Sequence, residues 1–208
     1  EYCSSLTSIE LPSGLTSIGD GAFCGCISLT KIIVNKDNPN YISQDGILYN
    51  KDQKELICCP GGKKGKIVIS ASVNNFGYNV FDGCGSLTEI MVDGNNENYM
   101  SQDGMLYDKN QTKLKCCPGG KTGSIVIPAS IVYILYDAFN SCGSLTEIIV
   151  DKNNPVYMSQ DGILYDKNQK QLICCPGGKT GSIVIPASIT SISEYSAFKG
   201  CSSLTEIM

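Results

Sequence analysis

Short apolar runs alternate with polar, turn-forming segments along this chain, and the alternation keeps a regular beat. The beat is clearest between Ile125 and Val150. A β-branched run, Ile125-Val126-Ile127, is stopped by Pro128, and a second apolar run reaches Leu135. Ala138-Phe139 and a lone Cys142 follow, then a third run over 145–150. Branched runs of this length, bounded by Pro and Gly, predict strands. Ile127 and Val150 close equivalent strands 23 residues apart. One strand and one return path in that span make one turn of a solenoid.

The heading Leu-Thr-x-Ile recurs at Leu6, Leu29, Leu87, Leu145 and Leu204, at intervals of 23, 58, 58 and 59. Cys3, Cys26, Cys84, Cys142 and Cys201 each precede a heading. The doublets Cys58-Cys59, Cys116-Cys117 and Cys174-Cys175 recur 58 apart. The period is therefore 58, a 23-residue unit followed by a 35-residue unit. In the short unit, Leu6, Ile9 and Leu11 point inward and Ser8 and Glu10 outward by strand alternation. Pro12 ends the strand, Leu15 and Ile18 begin the return leg, and Ala22, Phe23 and Cys26 fill the interior. Each coil alone exposes an apolar side, so stability is a sum over stacked neighbours.

The long unit adds a decorated loop. In its third copy, Met158 to Gly162 predicts a turn of the Asp-Gly type, Ile163-Leu164-Tyr165 a strand, and Gln171 to Cys175 a returning strand. The pattern admits a hairpin that projects from the solenoid or one that lies flat in an enlarged coil. Residues 176–181 turn the chain back into Ile183-Val184-Ile185-Pro186. Residues 1–208 read as one solenoid. The chain starts in mid-repeat without Met or a leader, and is expected to be a piece of a longer array.

Composition removes several function classes. The chain has no His, and all 16 basic residues are Lys. The commonest general base and metal ligand are therefore missing, as is the bidentate grip of Arg on phosphate. A net charge of −4 argues against nucleic acid as a partner. No apolar stretch is long enough for a membrane span. An enzyme is not expected, and no cofactor is implied.

Twelve cysteines raise the question of bridges or metal. Strands stack about 4.8 Å apart, so equivalent cysteines two coils apart are separated by roughly 10 Å, beyond the roughly 7 Å Cα limit for a disulfide. Cys3 and Cys26, one coil apart, can pair on distance alone. Buried thiols acting as small apolar fillers are the stronger expectation. Alternation turns one cysteine of each doublet inward, and Cys59, Cys117 and Cys175 are expected there, in step with Ile57 and Ile173. With no His and no C-x-x-C pair, no zinc site is expected.

Gly-Gly-Lys-Thr at 119–122 and 177–180 echoes a phosphate-binding loop, but the leading Gly is missing and a strand follows where a helix should begin. A repeated turn is the expectation. The Asn/Asp-rich segments 35–40, 93–98 and 151–154 lack calcium-loop spacing and fit turns that need Asx for backbone reasons. Asn110-Gln111-Thr112 is a glycosylation acceptor sequence on a predicted turn.

One surface stands out. The outward row on the first strand of the coils comprises Glu10, Lys31, Ile33, Glu89, Met91, Glu147, Ile149 and Glu206. Mixed charged and apolar residues along a concave sheet are how solenoids present an extended binding surface. Exposed Ile33, Met91 and Ile149 favour a protein partner.

Leu6 to Cys26 satisfies Leu-x-x-Ile-x-Leu-Pro-x-x-Leu-x-x-Ile-Gly-x-x-Ala-Phe-x-x-Cys, and residues 38–52 carry Asn-Pro-x-Tyr-x-Ser-x-Asp-Gly-Ile-Leu-Tyr-Asn-Lys-Asp. This pattern resembles the BspA-like leucine-rich repeats over essentially the whole chain. It departs at Ser70, in place of the strand-ending Pro, and at Asn79-Val80-Phe81 and Tyr195-Ser196-Ala197-Phe198, which vary the Ala-Phe step. The resemblance implies a right-handed, β-rich solenoid of 23-residue coils alternating with 35-residue hairpin-bearing units. It also implies a cell-surface or secreted protein of mucosal bacteria or protist parasites, adhering to host matrix proteins or neighbouring cells. A spacer or rod that associates end to end is the alternative reading. The family offers no catalytic residues to carry over.

Overall fold

The computed structural model describes residues 2–194 and 197–208, and within them the regular structure is all strand. The first period contributes β1 (Ser8–Leu11), β2 (Lys31–Val34), β3 (Tyr41–Gln44), β4 (Ile47–Asn50) and β5 (Glu55–Cys58). The second follows with β6 (Gly65–Ile69), β7 (Asn75–Phe76), β8 (Leu87–Val92), β9 (Tyr99–Gln102), β10 (Met105–Asp108) and β11 (Lys113–Cys116). The third holds β12 (Gly123–Ile127), β13 (Tyr133–Ile134), β14 (Leu145–Val150), β15 (Tyr157–Gln160), β16 (Ile163–Asp166) and β17 (Gln171–Cys174). β18 (Gly181–Ile183), β19 (Ser191–Ile192) and β20 (Leu204–Ile207) close the described chain. Tyr195 and Ser196, part of the varied Ala-Phe step, lie outside the described residues.

Two kinds of sheet alternate. The heading strands pair in parallel as β1-β2, β6-β8, β12-β14 and β18-β20, each joining a short coil to the long coil that follows. Between them lie the four-stranded sheets β3-β4-β5-β7, β9-β10-β11-β13 and β15-β16-β17-β19. The result is a β-solenoid whose parallel ladder is interrupted once per period.

The decorated loop lies flat. It is a three-stranded antiparallel meander, where the pattern predicted a two-stranded hairpin. Tyr157–Gln160 is a strand, and the turn is confined to Asp161-Gly162. Both turn residues have positive φ, 52° at Asp161 and 73° at Gly162, the signature of a type I′ turn that joins strands through two residues only. The Ser of this first strand reaches back to the heading strand: Val92 and Val150 N–H donate to Ser101 and Ser159 Oγ at 3.0 and 2.9 Å.

The middle strand of each meander is a partition. Ile47, Leu48 and Tyr49 are all buried, yet they serve different compartments. Leu48 packs with Leu11, Leu29 and Ile32, whereas Ile47 and Tyr49 pack with Ile67, Ile69 and Ile90. Leu106 and Leu164 are shared out in the same way against their neighbours. A strand covered on both faces needs a continuous apolar run, and Ile-Leu-Tyr supplies it.

The same partition corrects the reading of the cysteine doublets. Both members are buried at Cys116-Cys117 and at Cys174-Cys175, and Cys58 is half-buried beside buried Cys59. The side opposite the coil's own interior is the previous compartment, so Cys116 joins one core cluster and Cys117 the next. The Cys26 thiol is free, so it forms no bridge with Cys3.

Buried Asn38, Asn96 and Asn154 tie each long coil to the short coil before it. Asn154 Nδ2 donates to Pro128 O at 2.9 Å and Ile131 O at 2.8 Å, while its Oδ1 accepts from Val156 and Tyr157 N–H. Asn96 repeats the set with Ser70, Val73, Asn98 and Tyr99. The Asx-rich segments are thus explained by backbone pairing, with every polar valence of the amide used.

Candidate binding face

Strand alternation fixes which side chains leave the core on the heading pairs. In β6-β8, Lys66 stands opposite Glu89 and Val68 opposite Met91, with Ile67, Ile69 and Ile90 buried between them. In β12-β14, Ser124 opposes Glu147 and Val126 opposes Ile149. In β1-β2, Ser8 opposes Lys31 and Glu10 opposes Ile33. In β18-β20, Ser182 opposes Glu206. Beyond it, Ile185 N–H donates to Met208 O and Met208 N–H to Ile183 O, which sets Val184 beside Met208.

Glu10, Lys31, Ile33, Met91, Glu147, Ile149 and Glu206 are exposed here, and Glu89 is half-buried. The pairing sorts them into two parallel rows. One is polar, running from Lys31 and Lys66 to Glu89, Glu147 and Glu206. The other is aliphatic after Glu10: Ile33, Val68, Met91, Val126, Ile149 and Val184, whose exposure ranges from 39% at Ile33 to 64% at Val184. Val68, Val126 and Val184 are absent from the row read in sequence. Their signal was the Ile-Val-Ile run, in which the outward residue is as apolar as its inward neighbours.

The rows are broken into four two-stranded patches, because the outer edges of β2, β8 and β14 are capped instead of being paired onward. Ile90 N–H donates to Gly104 O at 2.9 Å, and Gly120 N–H to Leu87 O at 2.8 Å. The lysine of the Gly-Gly-Lys motif completes this cap. Lys63, Lys121 and Lys179 Nζ donate to the turn carbonyls of Asp45, Asp103 and Asp161. The phosphate-loop echo is thus a structural clamp. Thr88, Glu89, Asp103, Gly104 and Lys121 line a shallow depression at one such cap. Three heading threonines tie each strand to the one before it, with Thr30, Thr88 and Thr146 Oγ1 donating at 3.0 Å to Thr7, Gly65 and Gly123 O.

Among the described residues, no three His, Cys, Asp or Glu side chains converge as metal ligands, and no helix is long and apolar enough to cross a membrane. The geometry defines a β-solenoid whose coils carry an aliphatic row beside a charged one.

Comparison with known proteins gives this class a family. The BspA type leucine rich repeat region matches six copies, over residues 1–115, 113–173 and 174–208, and the chain belongs to that family. The crystal structure of the pneumococcal vaccine antigen PcpA is similar at 20% identity and a TM-score of 0.51, over 97% of this chain and 50% of that one. A leucine rich cell surface protein from Faecalibacterium prausnitzii A2-165 is similar at 23% identity and a TM-score of 0.50, over 99% of this chain and 54% of that one. This chain thus spans about half the length of each, and at these identities the likeness concerns the fold. No curated protein matches the chain.

Proposed function

We propose that this chain is a non-catalytic binding module of a cell-surface or secreted protein, and that it holds another protein across the outward rows of its heading strands. The observation that carries this reading is the aliphatic row, repeated patch by patch while the fold requires only its inward neighbours to be apolar. Solvent-facing β-branched side chains gain nothing from the core, and grouped exposed apolar residues mark interaction surfaces. The adjacent row changes from Lys31 and Lys66 to Glu89, Glu147 and Glu206, which gives a partner orientation as well as contact area. Family membership and the cell-surface description of the Faecalibacterium protein support an extracellular adhesive role, with host matrix proteins or proteins of neighbouring cells as the partner class.

The test is capture of extracellular matrix proteins by the immobilised chain, compared with a Val68→Glu, Val126→Glu double variant and a Glu89→Lys, Glu147→Lys double variant. Val68, Val126 and Glu147 are exposed and Glu89 is half-buried, and thermal melting verifies the fold of both variants. The expected result is at least tenfold weaker capture by the first and altered salt dependence in the second. Undiminished capture by both variants would remove the rows from the reading. Concentration-dependent filament growth without capture would favour the rod.

A further inference from the structure

Two neighbouring cavities lie away from the outward rows of the heading strands, where the Ala-Phe turns of successive periods converge. One, of about 160 Å³, is lined by Tyr78, Asn79, Lys115, Tyr136, Asp137 and Asn140. The other, of about 380 Å³, shares Tyr78, Asn79 and Asp82 with it as a common wall.

The smaller cavity is chemically unfinished. Asn79 Oδ1, Asp137 Oδ1 and Asn140 Oδ1 are shielded from solvent and have no hydrogen-bond partner. Shielded acceptors without partners are exceptions in folded proteins and call for an explanation. Comparison of the repeats supplies a second observation. Lys115 occupies the position of Ile57 and Ile173, and Asp137 that of Asn79 and Gly21. The fold is built with an aliphatic residue at the first position, so the charged pair belongs to this copy alone. Lys115 Nζ lies 5.5 Å from the Tyr99 ring centroid. Burial lowers the pKa of its ammonium and raises that of the Asp137 carboxyl. At the cavity, the Tyr78 and Tyr136 rings stand 6.5 Å apart at 35°, both exposed.

We propose that this cavity binds one sugar ring of a neutral glycan. Small rotations of the Asn79, Asp137 and Asn140 side chains turn their shielded oxygens to sugar hydroxyls, the Lys115 ammonium donates to a sugar oxygen, and a tyrosine ring covers the apolar face of the sugar. A hydroxyl both donates and accepts, so the match holds whichever way the two amides are turned. The Lys115 ammonium opposes a metal cation, and the carboxylates of Asp82 and Asp137 oppose an anion. A volume of about 160 Å³ is below that of pockets for drug-sized apolar ligands but suits a single ring. The shared wall gives the next unit of an oligosaccharide a seat in the larger cavity. This site is separate from the heading strands and stands or falls independently of them.

The experiment is isothermal titration calorimetry with saturation-transfer NMR, using glucose, galactose, mannose, N-acetylglucosamine and their linear oligomers. Lys115→Ile restores the residue of the other two copies and keeps the fold, and Tyr136→Ala alters an exposed ring. Thermal melting verifies both variants, with Asn140→Ala as a third. At least one neutral sugar should bind, its oligomer should bind more tightly, and each substitution should weaken binding about tenfold or more. The proposal is overturned if no neutral sugar binds and the three oxygens are left to water. It is equally overturned if binding is unchanged in Lys115→Ile and Tyr136→Ala, or is confined to acidic sugars or calcium.

Discussion

Asp82 Oδ1 lies 3.4 Å from Lys199 Nζ, 117 residues further along the chain and two periods away. The same carboxylate accepts a 3.1 Å hydrogen bond through Oδ2 from Gly25 N–H, one period back. Gly83 N–H donates in turn to Ser141 Oγ at 3.1 Å. Strands stacked at about 4.8 Å would hold residues two coils apart at roughly 10 Å. Contact across two coils at Gly25 and Asp82, and across four at Asp82 and Lys199, brings the Ala-Phe turns of successive periods together.

The two bonds of Asp82 contribute unequally. The Lys199 side chain is 43% exposed, so the ion pair is screened and Lys199→Ala should cost below about 1 kcal/mol. Asp82→Ala also leaves Gly25 N–H without its acceptor and should cost about 1.5 kcal/mol. Urea unfolding of the two variants checks the order. Equal losses would mean that the Gly25 bond contributes nothing.

Asn154→Ala should be far more damaging than its size suggests. It removes partners from the carbonyls of Pro128 and Ile131 and from the N–H groups of Val156 and Tyr157. Leaving such groups unpaired should cost roughly 3 kcal/mol, read as a lower urea midpoint. Asn154→Asp should cost at least as much, and more as pH rises through carboxyl ionisation, because an oxygen then faces two carbonyl oxygens.

Stability should fall on the alkaline side. Burial holds the thiols of Cys116 and Cys174 well above their ordinary 9.0, and raises Cys175 and Tyr49 to about 12. In the unfolded chain these thiols ionise near 9.0, so between 9.0 and about 12 the native state keeps protons that the unfolded state has released. Their contribution is complete below pH 9.0 and is lost above it, by about 1.4 kcal/mol per pH unit for each group. Thermal melting should show a plateau below that point and a decline above it. A Cys116→Ala, Cys174→Ala variant should decline less steeply.

Much of this architecture is legible in the spacing of Leu-Thr-x-Ile and of the cysteines, because a period of 58 leaves few ways to close a coil. The heading positions Leu29, Ile32, Leu87 and Ile90 repeat the inward Leu6 and Ile9 of the first coil and are buried. What alternation conceals is the second covered face. In Ile47-Leu48-Tyr49 and in the cysteine doublets, the outward side of one compartment is the inward side of another. The converse ambiguity hid Val68, Val126 and Val184, since an Ile-Val-Ile run reads alike whether its middle residue meets core or solvent. The cavity at Lys115 was hidden for a different reason. Its walls come from turns one period apart, and only the departure of Lys115 from Ile57 and Ile173 marks it locally.

The Gly-Gly-Lys segments offer a final comparison, between a clamp and a phosphate loop. A Cβ on Gly177 would sit 2.7 Å from Cys142 O and 2.9 Å from Gly143 Cα, both backbone atoms that cannot swing aside. Gly177→Ala should therefore cost roughly 2–4 kcal/mol through displaced backbone. Gly94 is the control, since a Cβ there meets nothing within 4 Å. Gly94→Ala should be neutral or stabilise by about 0.5 kcal/mol through the unfolded chain. Lys179→Met keeps the aliphatic stem but leaves the Asp161 carbonyl without its donor, and should cost about 1 kcal/mol. Chemical denaturation ranks the three, and equilibrium dialysis with ATP, showing no binding by the parent chain, completes the case for a clamp. A Gly177→Ala chain as stable as the parent, or a parent that retains ATP, would return the motif to a phosphate-binding role.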